Sequence, residues 1–165
     1  MRIPSNHMLC LRVLALVIGL PRPPVERDKS GAGLMQILIV DDTHADILVA
    51  SALLEPSGRR GTVAFEDPIT ALTWCASNQP LLVLTDFKMA RLNGIDFVRY
   101  MRAMPTCRHV PVIMMTVEEP QAVAQLAHDV GIAAVLGKPL DADLFATQVG
   151  AVLAASSAAT VTALH

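Results

Sequence analysis

Leu81–Leu84 forms an unbroken apolar run, opened by Pro80, that passes through Thr85 into a single carboxylate, Asp86. A short run of this kind fits a strand buried on both faces of a parallel sheet. It constrains the fold more than any other stretch, because such a strand needs a covering layer on each side. Ligands of open α/β sheets bind outside the carboxyl ends of the strands. Asp86 therefore falls on the functional rim. Alone, it reads equally well as a loop acid or as the cap of the next helix.

Other runs end the same way. Gln36–Val40 leads into Asp41–Asp42, Val110–Met115 into Thr116, and Ala133–Gly137 into Lys138–Pro139. In a parallel sheet these ends converge, bringing Asp, Asp-Asp, Thr and Lys to one edge. That constellation is far more specific than any of its members.

The segments between the runs read as helices. Thr43-x-x-Asp46 resembles a capping box with Asp in place of Glu, and it starts a helix reaching about Glu55 that Pro56-Ser57-Gly58 ends. Its inward face is Ile47, Ala50 and Leu54. A short strand near Thr62–Phe65 follows. Asp67-Pro68 then supplies an N-cap with proline at the first helical position, and Ile69, Leu72 and Ala76 are the expected inward stripe. Asn93-Gly94 opens a helix to about Met104. Glu118-Glu119-Pro120 opens the next, with Val123, Leu126, Ala127 and Val130 at helical spacing and Gly131 as its stop. Asp141 caps the last, whose stripe is Phe145, Val149 and Val152. Strands alternating with helices imply right-handed βαβ units and a doubly wound parallel sheet.

The 165 residues suffice for one domain, and 53% apolar content with few aromatics suits an aliphatic α/β core. A net charge of −2 offers no footprint for nucleic acid. Cys10, Cys75 and Cys107 are too few and too scattered for a disulfide framework or a CxxC metal site, and Cys75 reads as a small buried hydrophobe. His44 and His109 read as solvated loop residues. Residues 1–34 lie outside the pattern: the apolar run Met8–Leu20 is too short, and too broken by Arg12, to span a bilayer. No small-x-small cleavage site follows it. The expected division is an extension over 1–34 (a disordered leader, or an over-long start ahead of Met35), a domain over 35–153, and a tail over 154–165 that either frays or extends the last helix.

ILIVDD, LTDFKMARLNG, MMT and GKP, in this order and spacing, resemble the receiver domain of two-component response regulators, over roughly Met35 to Val152. The resemblance implies a flavodoxin-like five-stranded parallel sheet of order 2-1-3-4-5 with helices on both faces. It makes Asp86 the phosphoacceptor, attacking a phosphohistidine to give an acyl phosphate. Mg²⁺ is the implied cofactor, held by Asp42, Asp86 and the Lys88 backbone carbonyl, with Asp41 acting through water. The chemistry agrees, since crowded carboxylates repel and Mg²⁺ takes hard oxygen ligands and bridges to phosphate. Thr116 and Lys138 are the implied phosphoryl-binding residues, and Lys138-Pro139 the position of a cis peptide.

The sequence departs from the family at three places. Ala90 replaces a usual proline, so a looser loop after Asp86 is expected. Val117, bulkier than the usual residue after the switch threonine, is expected to narrow access to the acyl phosphate. Val135 stands where an aromatic normally relays the switch. Lys88 and Glu118, with Val117, occupy the positions that tune dephosphorylation. The implied partners are a histidine kinase or phosphotransfer protein and a downstream protein target, with a phosphorylation-dependent homodimer left open and a cytoplasmic location. The implied module is no enzyme on external substrates, although it promotes its own phosphorylation and dephosphorylation. A phosphate-independent binding module and the receiver of a longer regulator are the alternatives. An aspartate-nucleophile phosphatase of the haloacid dehalogenase type needs a second Asp two residues beyond the nucleophile. Lys88 occupies that place, so this reading fails.

Overall fold

A computed structural model describes residues 36–55 and 61–162. Five strands, β1 (Ile37–Val40), β2 (Thr62–Phe65), β3 (Leu82–Asp86), β4 (Val112–Thr116) and β5 (Ala134–Gly137), form one parallel sheet of order β2-β1-β3-β4-β5. The helices are α1 (His44–Leu54), α2 (Pro68–Cys75), α3 (Gly94–Arg102), α4 (Pro120–Asp129) and α5 (Ala142–Thr162). This is the doubly wound, flavodoxin-like order expected from the sequence.

Side chains alternate across the strands and build one core on each face. Ile37, Ile39, Leu82, Leu84, Ile113 and Met115 face α1 and α5, packing with Ile47, Ala50, Phe145 and Val149. Leu38, Val40, Val83, Val112 and Met114 face the other way, onto Ala71, Leu72, Phe97, Val98 and Met101. β1, β3 and β4 are buried throughout, which is why each reads as an unbroken apolar run. β2, at the sheet edge, alternates exposed and half-buried residues.

Several helix expectations hold. Asp67 caps α2 by accepting from the Ile69 and Thr70 amides at 3.3 and 3.2 Å. Asn93 caps α3 through the Asp96 amide at 2.9 Å, and Asp141 accepts from the Leu144 amide at 2.8 Å ahead of α5. Gly131 sits at φ +73° beyond α4, the left-handed conformation that ends helices. α5 runs on through Thr162, so residues 154–162 extend the helix.

Others need correction. Thr43 makes no side-chain cap at α1, and its amide, which a capping box would give to Asp46, donates to the Asp41 carboxylate at 3.0 Å. The inward face of α2 is Ala71, Leu72 and Cys75, with Ile69 and Ala76 only half-buried. Leu126 of α4 is 48% exposed, and Val123 and Ala127 alone are buried on that helix. His44 heads α1 and bonds Glu66 at 2.7 Å, so it is no loop residue. Cys75 is buried as expected, but Cys107 is not distant from it: Cys107 Sγ donates to the Cys75 carbonyl at 3.6 Å, both thiols free. The expectations for residues 1–34, for Cys10 and for the helix break at Pro56-Ser57-Gly58 lie outside the described residues.

Candidate functional site

The strand register brings the polar ends together. Val40 pairs with Thr85, Asp86 with Met115, and Thr116 with Gly137, so Asp41, Asp86, Thr116 and Lys138 emerge side by side at the carboxyl edge. One oxygen from each of Asp41, Asp42 and Asp86 can be chosen so that all lie within 4.8 Å of one another. Asp41 and Asp86 are buried and Asp42 is exposed, so the cluster has a dry floor and one open side.

Lys138 answers that charge. Its Nζ lies 2.6 Å from Asp86 Oδ1 and 2.7 Å from both Asp41 Oδ2 and Asp46 Oδ2, with only 9% of the side chain exposed. Burial acts to depress the lysine pKa, but bonds to three carboxylates outweigh it and hold the ammonium well above its usual range. Burial pushes the Asp41 carboxyl up, and the neighbouring Asp86 charge adds to this; the bonds from Lys138 and the Thr43 amide only partly offset them.

The loops after the strands are tied down locally. The Phe87 amide donates to the Met115 carbonyl and the Gly94 amide to the Phe87 carbonyl, both at 2.9 Å. A Cβ at Gly94 would stand 2.3 Å from the Asp86 carbonyl oxygen, so only glycine lets α3 begin this close behind the acid. The expectation that Ala90 loosens this loop is not met: the Ala90 amide donates to Asp42 Oδ2 at 2.8 Å, a bond that proline has no hydrogen to make. Thr116, buried, accepts the Glu118 amide on its hydroxyl at 3.0 Å. Across the opening, the Lys88 ammonium contacts the Glu118 carboxylate. Val117, the residue expected to narrow access, is 71% exposed. Val135 lies half-buried against the α2–α4 core, and the Lys138–Pro139 peptide is cis.

The structure thus brings together Asp41, Asp42, Asp86 and Lys138, sets Thr116 at the next strand end, and places Lys88, Val117 and Glu118 on the rim. Val135 stands on the neighbouring edge strand. Sequence reasoning missed Asp46 as a member of the group. It assigned Asp46 to the local cap, and the only signal against that was a carboxylate in the first helical turn after an acid-rich strand end.

A buried strand-end carboxylate, two further acids, a hydroxyl and a lysine on one edge of a doubly wound parallel sheet are the features by which the sequence resembles a receiver domain. The chain belongs to the response regulator receiver domain family, whose model matches residues 37–149. It is 33% identical over 110 residues to the chemotaxis protein CheY of Pseudomonas aeruginosa, covering 67% of this chain and 89% of that protein. Identity to the cyclic di-GMP phosphodiesterase response regulator RpfG of Xanthomonas campestris is 27% over 113 residues, 68% of this chain but 30% of RpfG. The chain therefore spans under a third of that relative's length and most of CheY's. Among solved structures, the receiver domain of the sensor histidine kinase PA1611 from P. aeruginosa, with a magnesium ion coordinated in its active-site cleft, matches with a TM-score of 0.66 at 23% identity. It covers 73% of this chain and 98% of that one. Chemotaxis protein CheY4 of Vibrio cholerae also gives 0.66 at 23% identity, covering 72% and 98%. At these identities the structural matches speak for the fold.

Proposed function

We propose that the protein is a phospho-accepting receiver: the Asp86 carboxylate takes a phosphoryl group from a phosphohistidine on a histidine kinase or phosphotransfer protein, and the modified domain signals by protein contact. The observation that carries this is the set of three clustered carboxylates with Lys138 Nζ 2.6 Å from Asp86 Oδ1.

In the transfer, an Asp86 oxygen forms the new bond to phosphorus as the phosphorus–nitrogen bond breaks and the imidazole leaves. Lys138, already on Asp86, is placed to follow the negative charge onto the transferring oxygens. The Thr116 hydroxyl, now held by the Glu118 amide, can donate its own proton to a phosphoryl oxygen. The donor set, three carboxylates and no soft ligand, fits Mg²⁺; following the family resemblance, Asp42 and Asp86 with the Lys88 backbone carbonyl would hold it, and Asp41 would act through water. Bound there, Mg²⁺ supplies the positive charge that lets three acids and a phosphoryl group share one edge. The magnesium in the PA1611 receiver's cleft supports the assignment. Phosphorylation adds about −1.5 to −2 charges, and the Thr116–Pro120 loop is the switching element. The functional unit is residues 35–153, acting in the cytoplasm; no helix among the described residues is long and apolar enough to cross a membrane.

Incubation with a small phosphodonor and Mg²⁺, read by mass spectrometry, tests the reading. Modification at Asp86 alone is expected, and labelling that persists in Asp86→Ala with no alternate acceptor overturns it. A second reading, that the module serves within a longer regulator, draws on the similarity to RpfG, of which the chain covers 30%, and to PleD, of which it covers 23%.

A further inference from the structure

Asp46 lies in the first turn of α1, five residues beyond Asp41, and stands apart from the acids that can share a cation. Its carboxylate is 38% exposed and accepts from Lys138 Nζ at 2.7 Å. An ammonium has three hydrogens. In Lys138 the ammonium donates to Asp41 and Asp46, each at 2.7 Å, and pairs with Asp86 at 2.6 Å. Two of those three acids are wanted elsewhere once the site works, Asp41 by a divalent cation and Asp86 by the cation and the phosphoryl group. Asp46 alone of the three has no other duty. Lysine is a compact charge on a flexible stem, so an ammonium released by its partners swings away into water unless something retains it.

We propose that Asp46 is a positioning residue whose carboxylate keeps Lys138 Nζ at the cluster when Asp41 and Asp86 turn to other partners, so that the ammonium meets the phosphoryl oxygens already placed. The inference rests on the phosphoryl-acceptor reading and adds a residue to it. The position of α1 makes this work, since the helix begins directly after the metal-binding acids and brings a fourth carboxylate back toward the lysine without bringing it to the cation.

The test is titration calorimetry on the whole chain, with Mg²⁺ alone and then with beryllofluoride at saturating Mg²⁺, for wild type, Asp46→Ala, Asp46→Asn and Asp46→Glu. Mg²⁺ affinity should stay within about twofold throughout, because Asp46 is not a ligand. Beryllofluoride binding should weaken about tenfold in Asp46→Ala and Asp46→Asn, and Asp46→Glu should recover most of it, as expected for a lost charge-assisted bond. Melting curves establish that each variant folds, and the Asn and Glu variants decide the question if Ala does not. Beryllofluoride affinity that is unchanged or higher without the carboxylate overturns the proposal. So does a parallel fall in Mg²⁺ affinity, which would make Asp46 a contributor to the cation site. Failure of the wild type to bind either ligand is a different result, and removes the phosphoryl-acceptor reading itself.

Discussion

Two cations organise opposite ends of the sheet, and they differ in what surrounds them. At the carboxyl edge Lys138 is ringed by the carboxylates of Asp41, Asp46 and Asp86. Near the other edge Arg102, at the end of α3, donates to four backbone carbonyls: Cys107 at 3.2 Å, Arg108 at 3.1 Å, Val110 at 2.5 Å and Gly131 at 3.1 Å. The guanidinium is a rigid fork, and carbonyls within folded loops have no second allegiance. Carboxylates can have one: in the proposed function Asp41 and Asp86 are claimed by a metal ion and a phosphoryl group, and Asp46 alone stays with the lysine. The arginine network closes a fold, while the lysine network is the one that the proposed function would rearrange. Burial tugs both cations toward their neutral forms, and the three bonded acids reverse the effect only at Lys138.

The largest expected break in this contrast is Lys138→Met. Removing the cation leaves the Asp41 and Asp86 carboxylates buried without their counter-charge, at a cost of roughly 3 kcal/mol without metal. Mg²⁺ should restore much of it, which thermal melts with and without the ion will show. The sign with pH follows from Asp41, whose folded pKa lies above 3.8 because of burial. The folded state then holds its proton more tightly than the unfolded one. Stability from this group is therefore gained as pH falls through the folded pKa toward 3.8, and in Lys138→Met the gain should be larger. Arg102→Ala should cost about 2 kcal/mol by stranding loop carbonyls, and Mg²⁺ should return none of it. Equal rescue of both variants by the metal would erase the distinction.

Asp67 offers a smaller test, an acid that serves the fold beside acids that serve the site. Burial raises its pKa, but the Thr70 hydroxyl, the Ile69 and Thr70 amides and the Arg91 guanidinium outweigh that and leave it below 3.8. Its contribution is present above that value and is lost as pH falls through the folded pKa. Asp67→Ala should cost about 1 kcal/mol at neutral pH and flatten the acid limb of a denaturation profile, with no change in Mg²⁺ affinity. Ala90→Pro, which removes the amide that orients Asp42, should weaken Mg²⁺ about threefold while Ala90→Ser leaves it alone; calorimetry distinguishes them. Last, the Lys88 ammonium contacts the Glu118 carboxylate; under the proposed function that pair hinders an attacking water, so Lys88→Ala should shorten the acyl-phosphate half-life by about twofold, a pair worth only a fraction of a kcal/mol at this exposure. Equal decay rates would remove that role.

How far the sequence carries depends on whether a residue's neighbour is near in the chain. The central strands were legible because burial on both faces leaves an apolar run, and the parallel sheet followed from the alternation with helices, while the strand order came from the resemblance to the receiver family. Asp41, Thr116 and Lys138 were legible because each is the first polar residue after an apolar run, and Asp86 because it is the first charged one. α2 was not, since nearly every residue of PITALTWC is apolar and several helical phases fit equally well. Leu126 was misplaced for a related reason, the periodic pattern of α4 being wider than the face the sheet covers. Asp46 was hidden by distance: its partner is 92 residues away, while a plausible local partner, Thr43, stood three residues before it. The Ala90 amide was invisible because a backbone donor carries no sequence signal except where proline is absent.

Gly94 has a mechanical consequence. With the Asp86 carbonyl 2.3 Å and Met114 Cε 3.0 Å from where its Cβ would stand, the head of α3 rests directly on the backbone of the acceptor with no side chain as a cushion. No side chain larger than hydrogen fits between the helix head and the Asp86 main chain, so a displacement of α3 toward the sheet meets that backbone directly. A partner gripping that helix would hold a lever on the site without ever touching its opening.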